Sequence, residues 1–359
     1  MFLFHLLLVL WQLHTSAPFA SASASESRSG SRVLVAFMAA GANRNRNLNL
    51  KQQVERFFPK TATPTSKLNR TASTDSTNRD KAPRSYDCLI FSYQPDPPGL
   101  HSFLKRYTPE PCKYLERPGW KLTHWCHYLS PTFLHRKNYD YLFMMLDDIR
   151  YDCFHLDKFM DVMAYNRLSL ATPRILTSGY KLMKERLPPA MRTNALPAGQ
   201  VAAGYRHNML ELQAWVVRRD VWSCWWETFD VRIPGDWGHD MWLYEYCRRR
   251  VDLRIGTVDL YTAGAIDDRT TSDKSYASWA MHEQPRLWQK DGNHSAPLTI
   301  ARWDLDWAQV DKLTWPKDRL EELGRCAANG ARDALRKKHK RGYRSFLTRV
   351  WGRLSTLNT

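Results

Sequence analysis

The chain has 359 residues, of which 43% are hydrophobic and 25% charged, so collagen-like, fibrous and wholly disordered proteins are excluded. The formal net charge is +17, but it is concentrated in two flanks: residues 31–85 carry 11 Lys/Arg against 3 Asp/Glu, and residues 331–359 carry 9 against 1. Residues 86–330 are nearly neutral, with 32 basic and 31 acidic groups. This distribution argues against a nucleic-acid groove and favours peripheral contact of the basic tail with a membrane or a polyanion.

The first 25 residues have the pattern of a cleaved secretory signal peptide. An apolar run over residues 2–13 is too short to cross a bilayer, and small residues over 20–24 offer cleavage sites. N-glycosylation triplets at Asn69 and Asn293 agree with this route. We therefore expect the protein in the lumen of the secretory pathway, in the Golgi or endoplasmic reticulum, or outside the cell.

Seven cysteines are spread widely along the chain, and no pair has the Cys-x-x-Cys spacing of a zinc knuckle or redox motif. In an oxidising compartment we expect two or three disulfides and at least one thiol, because the number is odd. The spacing leaves the connectivity open.

Hydrophobic patterns predict an α/β domain. Continuous apolar runs at 32–41, 87–93 and 139–149 are typical of buried parallel strands. Apolar residues at helical spacing predict one helix beginning near Leu50 and another beginning near Leu156. We expect a single domain with a mostly parallel, Rossmann-like central sheet flanked by helices, in which ligands bind beyond the carboxyl ends of the strands.

The remaining segments complete this organisation. Residues 26–59 supply the first strand and helix, 60–85 form a low-complexity surface insertion rich in Thr, Ser, Asn and Pro, and 86–330 form the rest of the domain. A strand-like run at 209–217 precedes a helix. The chain ends in an amphipathic helix and the basic tail 331–359. The face of the first of these helices contains Val221, Cys224 and Trp225, and that of the second contains Leu320, Leu323, Ala327, Ala331 and Leu335.

Asp147 and Asp148 are the most specific chemical signal. Two adjacent carboxylates after a buried strand repel each other unless a cation or several donors lie nearby, and carboxylate oxygens are ligands that Mg²⁺ or Mn²⁺ prefers. They could hold a metal ion that bridges a diphosphate. The alternative is that Asp148 caps a turn and Asp147 is solvated.

Other catalytic motifs are weaker or absent. No Gly-x-x-x-x-Gly-Lys loop and no Gly-x-Ser-x-Gly elbow occurs, so P-loop enzymes and serine hydrolases lack their central residues. His239 and Asp240 allow a metal phosphohydrolase, but such a site needs further histidines, and His207 is the one nearby candidate.

Four short motifs in this order resemble the A-type glycosyltransferases, and most closely an uncharacterised eukaryotic branch known by a domain-of-unknown-function label. The motifs are residues 139–149 with the acidic pair, 168–173, 211–222 with Glu before a Trp-bearing helix, and 236–240, which read Asp-Trp-Gly-His-Asp. The resemblance covers roughly residues 32–262. It implies a sugar transferase that uses a nucleotide-diphosphate sugar as donor and Mn²⁺ or Mg²⁺ as cofactor.

The resemblance also implies roles for individual residues. The donor nucleotide would lie at the end of the first strand, near Ala40 and Gly41, with Asp147 and Asp148 holding the metal ion and diphosphate. Asp240 would act as general base on the hydroxyl of a glycan or protein acceptor, although it could equally cap a helix.

The same comparison leaves three further assignments open. Glu211 would orient the acceptor or simply begin a strand. Trp237 and Trp242 would stack on a sugar or pack in the core.

The sequence departs from the glycosyltransferase pattern at two points. Leu146 stands where the first acid of the Asp-x-Asp motif would be, and no histidine follows in residues 255–264, so the third metal ligand is Asp259, water or none. These departures leave a second hypothesis, a catalytically inactive secreted carbohydrate-binding protein with the same fold. The retained Asp147, Asp148 and Asp240 favour the enzyme.

Overall fold

One large sheet with helices on both faces organises the chain. The computed structural model describes residues 30–39, 44–58, 84–92, 112–117, 121–175, 196–208, 213–229, 243–244, 246–266 and 310–324. The predicted signal peptide, most of the 60–85 insertion and the basic tail 331–359 lie outside these residues. Arg84 and Ser85, at the end of the predicted insertion, belong to the fold: Arg84 donates to Asp161 at 2.9 Å, and Ser85 begins a strand.

Ten strands, five α-helices and one 3-10 helix have both ends within the described residues, and Leu243, Tyr244, Tyr246 and Cys247 are also helical. The strands are β1 Arg32–Ala39, β2 Ser85–Ser92, β3 Cys112–Glu116, β4 Tyr141–Leu146, β5 Ile149–Cys153, β6 Leu170–Ile175, β7 Gln200–His207, β8 Ala214–Arg218, β9 Ile255–Ala265 and β10 Asp311–Pro316. The helices are α1 Arg44–Phe57, α2 Lys121–Tyr128, α3 Pro131–Arg136, α4 Leu156–Tyr165, α5 Arg219–Trp226 and the 3-10 helix Leu320–Leu323.

The sheet is mixed rather than mostly parallel. Its strand order is β10-β7-β9-β6-β8-β4-β1-β2-β3, with β5 paired to β9. Four of the nine pairings between the described strands are parallel, and they join β1 to β2 and β4, β2 to β3, and β6 to β9. The other five are antiparallel because β5, β7, β8 and β10 run against their neighbours. The α/β class is therefore confirmed, and the mostly parallel arrangement is not found.

The central strands are buried on both faces, which explains their unbroken apolar sequences. Along β1, Val35 and Phe37 contribute to the core on one side of the sheet, whereas Leu34 and Ala36 contribute to the core on the other. Helices α1 and α4 cover the first side, and α2, α3 and α5 cover the second. The sheet thus has a helical layer on each face.

The abundance of tryptophan is largely a packing feature in the described part of the chain. Trp125, Trp215, Trp222 and Trp225 are fully buried together beneath α2 and α5, with ring centroids 5.2–6.0 Å apart. The indole N–H of Trp222 donates to the Leu129 carbonyl at 2.6 Å, so its polar edge is satisfied. These rings form core rather than a sugar-binding groove.

Two disulfides and one thiol occur among the described cysteines, as the odd number predicts. Cys88 and Cys112 face each other on the parallel strands β2 and β3. Cys224 on α5 is linked to Cys247, and Cys126 is a thiol. Disulfides are compatible with an oxidising compartment. Within the described ranges, none of the helices has the length and apolar character needed to cross a membrane.

Most predicted helices and strands are present. The predicted helices around Leu50 and Leu156 are α1 and α4, and the face predicted from Val221, Cys224 and Trp225 is the buried face of α5. Of the predicted C-terminal amphipathic helix, Leu320–Leu323 form a short 3-10 helix, and residues 325–359 lie outside the described part, so the rest stays a prediction.

Candidate functional site

The connection pattern places a topological switch point at the carboxyl ends of the first strands. The chain passes from β1 to β2 and β3 on one side, and then returns to place β4 on the other side of β1, with all four strands parallel. In open α/β sheets, ligands bind in the crevice at such a switch point, outside the carboxyl ends of the strands. In this sheet that point lies between the end of β1 and the end of β4.

The acidic pair lies at this switch point. Met38 of β1 is level with Leu146 of β4, and the backbone N–H of Asp147 donates to the Met38 carbonyl at 3.1 Å, one residue beyond the strand. Asp147 and Asp148 then form a two-residue turn into β5, where the sequence predicted a single strand through Ile149. The Asp148 carbonyl accepts from the N–H of Ile266 at 2.8 Å. The turn is therefore anchored to β1 at one end and to the residue after β9 at the other.

A side-chain amide on α1 holds the same turn in place. Nδ2 of Asn49 donates to the carbonyls of Asp147 and Ile149, both at 2.8 Å. Nε2 of Gln53, one helical turn further along, donates to Oδ1 of Asn49 at 3.3 Å and orients its amide. Asn49 and Gln53 are each 3% exposed. Buried amides that satisfy turn carbonyls hold the acidic pair in one conformation before any ligand arrives.

The guanidinium of Arg46 faces both carboxylates. Nη1 lies 3.7 Å from Oδ1 of Asp147, and Nη2 lies 3.6 Å from Oδ2 of Asp148. The three side chains are 9%, 3% and 15% exposed, respectively, so this is a largely buried cluster with a net charge of −1. Both carboxylates therefore converge on a single cation.

This convergence fits a divalent metal ion. The two acids contribute hard oxygen atoms that already share one cationic neighbour, and Mg²⁺ is commonly held by one or two carboxylates together with substrate phosphates and water. No group of three His, Cys, Asp or Glu side chains in the described ranges could hold a metal ion. A metal at this turn would need further ligands besides these two carboxylates.

The structure locates some of the other sequence candidates. Leu146 is the last residue of β4 and is partly buried against both cores. Asp259 lies on β9 seven residues before Ile266, the residue that contacts the acidic turn. Nε2 of His207 is hydrogen-bonded to the Thr257 hydroxyl at 2.7 Å, within the pairing of β7 and β9.

The other predicted site residues lie outside the described part of the chain. They are Ala40, Gly41, Glu211, Trp237, His239, Asp240 and Trp242. Their assignments stay predictions. Residues 40 and 41 immediately follow Ala39, the last residue of β1 at the switch point.

Sequence reasoning missed Arg46, Asn49 and Gln53. They belong to a polar stretch that begins as Asn43-Arg-Asn-Arg46, and this composition is typical of a solvated turn. Their spacing of i, i+3 and i+7 places them on one face of α1, which was the available signal. That face also includes the buried Leu50.

A cavity of about 490 Å³ lies elsewhere, between the end of α1 and the start of α4. Phe57, Tyr86, Phe154, Asp157 and Leu323 are among its lining residues, and neither acid of the turn is. The Tyr86 hydroxyl donates to Asp157, and burial followed by this hydrogen bond raises the pKa of Tyr86. The cavity is distinct from the switch-point site.

Comparisons with known proteins assign no family. The chain matches no protein-family description and no curated protein. Similar solved structures include A197 from STIV, at 10% identity and a TM-score of 0.32 over 66% of this chain and 86% of that one. They also include S. aureus TarS 1-349, at 9% identity and a TM-score of 0.39 over 71% of this chain and 64% of that one. The chain covers 38% of a longer TarS structure, with a TM-score of 0.38.

Proposed function

We propose that this protein is a metal-dependent glycosyltransferase that moves a sugar from a nucleotide-diphosphate donor to a hydroxyl of a glycan or protein acceptor. The observation that carries the proposal is the buried turn of Asp147 and Asp148 at the switch point, where two carboxylates converge on one cation. The choice of a sugar as the transferred group rests on the motif order of A-type glycosyltransferases in the sequence.

The charge of the site supports the need for a metal ion. Asp147, Asp148 and Arg46 sum to −1 at neutral pH. A diphosphate would be repelled by that charge, whereas a divalent cation raises it to +1. When bound, Mn²⁺ or Mg²⁺ would neutralise negative charge on the diphosphate leaving group.

The chain's own residues have separate tasks in this proposal. Asp147 and Asp148 bind the cation, and the amides of Asn49 and Gln53 keep their turn in place. Ala40 and Gly41 are proposed to border the donor nucleotide after β1. The acceptor oxygen forms a bond to the anomeric carbon as that carbon's bond to the diphosphate oxygen breaks. In an inverting displacement, Asp240 would take the hydroxyl proton, with Glu211 orienting the acceptor.

The proposed location is the lumen of the secretory pathway or the cell exterior. The predicted signal peptide supports this, and the two disulfides are compatible with it. The basic tail 331–359 is proposed to contact a membrane surface or a polyanion peripherally.

Thermal stability across a panel of nucleoside diphosphates, with and without Mn²⁺, tests the proposal. Ligands that bind the native state raise the midpoint of unfolding. We expect one nucleotide to raise it in the presence of Mn²⁺, and the Asp147→Asn/Asp148→Asn double variant to lose this shift. The exposed Asp220 of α5 provides a control, since Asp220→Asn removes a carboxylate far from the turn. A folded wild-type protein that responds to no nucleotide would overturn the transferase in favour of carbohydrate binding alone.

A further inference from the structure

Arg46 is a cation that lies close to both carboxylates of the acidic turn. Its guanidinium lies 3.7 Å from an oxygen of Asp147 and 3.6 Å from an oxygen of Asp148, and its side chain is 9% exposed. Both distances exceed hydrogen-bond range, so these two contacts are electrostatic attractions and not directional hydrogen bonds. A guanidinium held this way can be replaced by another cation without breaking directional bonds at either oxygen.

The place of Arg46 in the fold also suits an anion. It lies in the first turn of the 14-residue helix α1, the next described element after β1, and that turn has no acidic residue. The positive end of a helix dipole favours negative charge near the helix N-terminus. Guanidinium groups recognise phosphate through a planar fork of N–H donors.

We propose that Arg46 is a built-in counter-ion that a divalent metal ion replaces, and that the released guanidinium then binds the diphosphate of the donor. This inference rests on the proposed function and extends it to a donor-binding residue that the sequence motifs do not include. In the metal-free protein Arg46 neutralises one of the two acids. With metal present, the same positive charge becomes available to the diphosphate.

The two roles predict opposite effects of one substitution. Arg46→Met removes a competitor of the metal ion, so we expect Mn²⁺ alone to bind about tenfold more tightly. It also removes a phosphate ligand, so we expect the nucleoside diphosphate preferred by wild type to bind about tenfold more weakly at saturating Mn²⁺. A residue that merely supports the turn would weaken both affinities when removed.

The experiment measures Mn²⁺ binding by electron paramagnetic resonance and nucleotide binding by titration calorimetry on the folded luminal protein. Arg56→Met is the matched control, because Arg56 is an exposed arginine ten residues further along the same helix. It should leave both affinities within about twofold of wild type. Arg46→Lys keeps the positive charge but lacks the planar set of N–H donors of a guanidinium. Mn²⁺ affinity should therefore stay near wild type while nucleotide affinity falls.

Opposite shifts in Arg46→Met would support the counter-ion role. Parallel losses, or unchanged affinities, would overturn it while leaving the proposed function intact. If Arg46→Met does not fold without metal, an unchanged nucleotide affinity in Arg46→Lys overturns it instead. A wild-type protein that binds neither Mn²⁺ nor any nucleoside diphosphate would overturn the proposed function itself.

Discussion

Asn49 on α1 donates its side-chain amide to the backbone carbonyl of Asp147 at 2.8 Å, in a fully buried environment. This contact connects the helix after β1 to the acidic turn after β4, although the two residues are 98 positions apart in sequence. The same amide also donates to Ile149. Because the two sides of the switch point are joined by a side chain, the geometry of the acidic pair depends on α1.

Replacement of Asn49 should therefore affect both stability and metal binding. Asn49→Leu leaves two buried carbonyls without a donor, and we expect a loss of about 2–4 kcal/mol in the free energy of unfolding. Mn²⁺ affinity should fall because the turn is no longer held. Urea unfolding and Mn²⁺ titration check the two effects. Asn45→Leu, at an exposed position of the same helix, is the control and should change neither by much. A normal Mn²⁺ affinity in a destabilised Asn49→Leu protein would show that metal binding does not depend on α1.

Two buried tyrosines of one aromatic cluster should respond in opposite directions to loss of the hydroxyl. Tyr151 and Tyr261 both contact Phe154, with ring centroids at 4.5 and 5.4 Å. The Tyr261 hydroxyl donates to the Leu323 carbonyl at 3.0 Å. The buried Tyr151 hydroxyl has no hydrogen-bond partner among the described residues.

Tyr151→Phe should accordingly stabilise the protein by about 1–2 kcal/mol, because a buried polar group without a partner is removed. Tyr261→Phe should destabilise it by about 1 kcal/mol, since a hydrogen bond is lost and a carbonyl is left unpaired. Chemical denaturation of both variants gives the comparison. Equal effects of the two substitutions would show that the Tyr151 hydroxyl has found a partner such as water.

Stability should decrease in alkaline solution because of these and other buried tyrosines. Burial raises the pKa of Tyr151 well above 10, and burial with a hydrogen bond to Asp87 raises that of Tyr139. A tyrosine with a raised pKa in the folded state ionises first in the unfolded state. Its stabilisation is therefore complete below about pH 10 and is lost as the pH rises further, by about 1.4 kcal/mol per pH unit for each such group.

Tyr151→Phe tests this pH dependence. Above pH 10 the free energy of unfolding should fall less steeply in the variant than in wild type. The two slopes should differ by about 1.4 kcal/mol per pH unit, the contribution of one titrating group. Denaturant unfolding at a series of pH values measures both slopes. Identical slopes would mean that Tyr151 titrates alike in the folded and unfolded chains.

The disulfide between Cys224 and Cys247 closes a loop with a sequence separation of 23. The Cys224→Ser/Cys247→Ser double variant should lose about 3 kcal/mol of stability, because its unfolded state regains the freedom of that loop. Thermal unfolding in oxidising and reducing buffer checks the estimate. The difference from wild type should vanish once both proteins are reduced, apart from the effect of serine at two buried positions. An unchanged midpoint in oxidising buffer would exclude a stabilising bond.

The fold could be predicted in segments whose apolar residues follow a single periodicity. Val33 to Ala39 is an uninterrupted apolar run, and Leu50 with Val54 has clear helical spacing, so β1 and α1 were recognised. Strand direction was not predictable. The antiparallel β8 is as apolar as the parallel β1, because both are buried on two faces. An apolar run does not indicate whether the neighbouring strands are parallel or antiparallel to it.

The two acids of the site could be predicted from the sequence, whereas the residues that hold them in place could not. Asp147 and Asp148 were recognisable because two adjacent carboxylates after an apolar strand repel each other unless a cation or several donors lie nearby. Arg46 and Asn49 were missed because arginine and asparagine are usually exposed, and their burial depends on an acidic turn about 100 positions away in sequence. Such a long-range partner cannot be found from local pattern alone.

The most direct test of the central claim is anomalous X-ray scattering from a crystal of the protein soaked with Mn²⁺ and its preferred nucleoside diphosphate. We predict a manganese peak about 2.1–2.4 Å from an oxygen of Asp147 or Asp148, with the diphosphate bound to the same ion. The guanidinium of Arg46 should have moved from the carboxylates to the phosphate. A manganese ion at any other position, or a nucleotide bound away from this turn, would contradict the account.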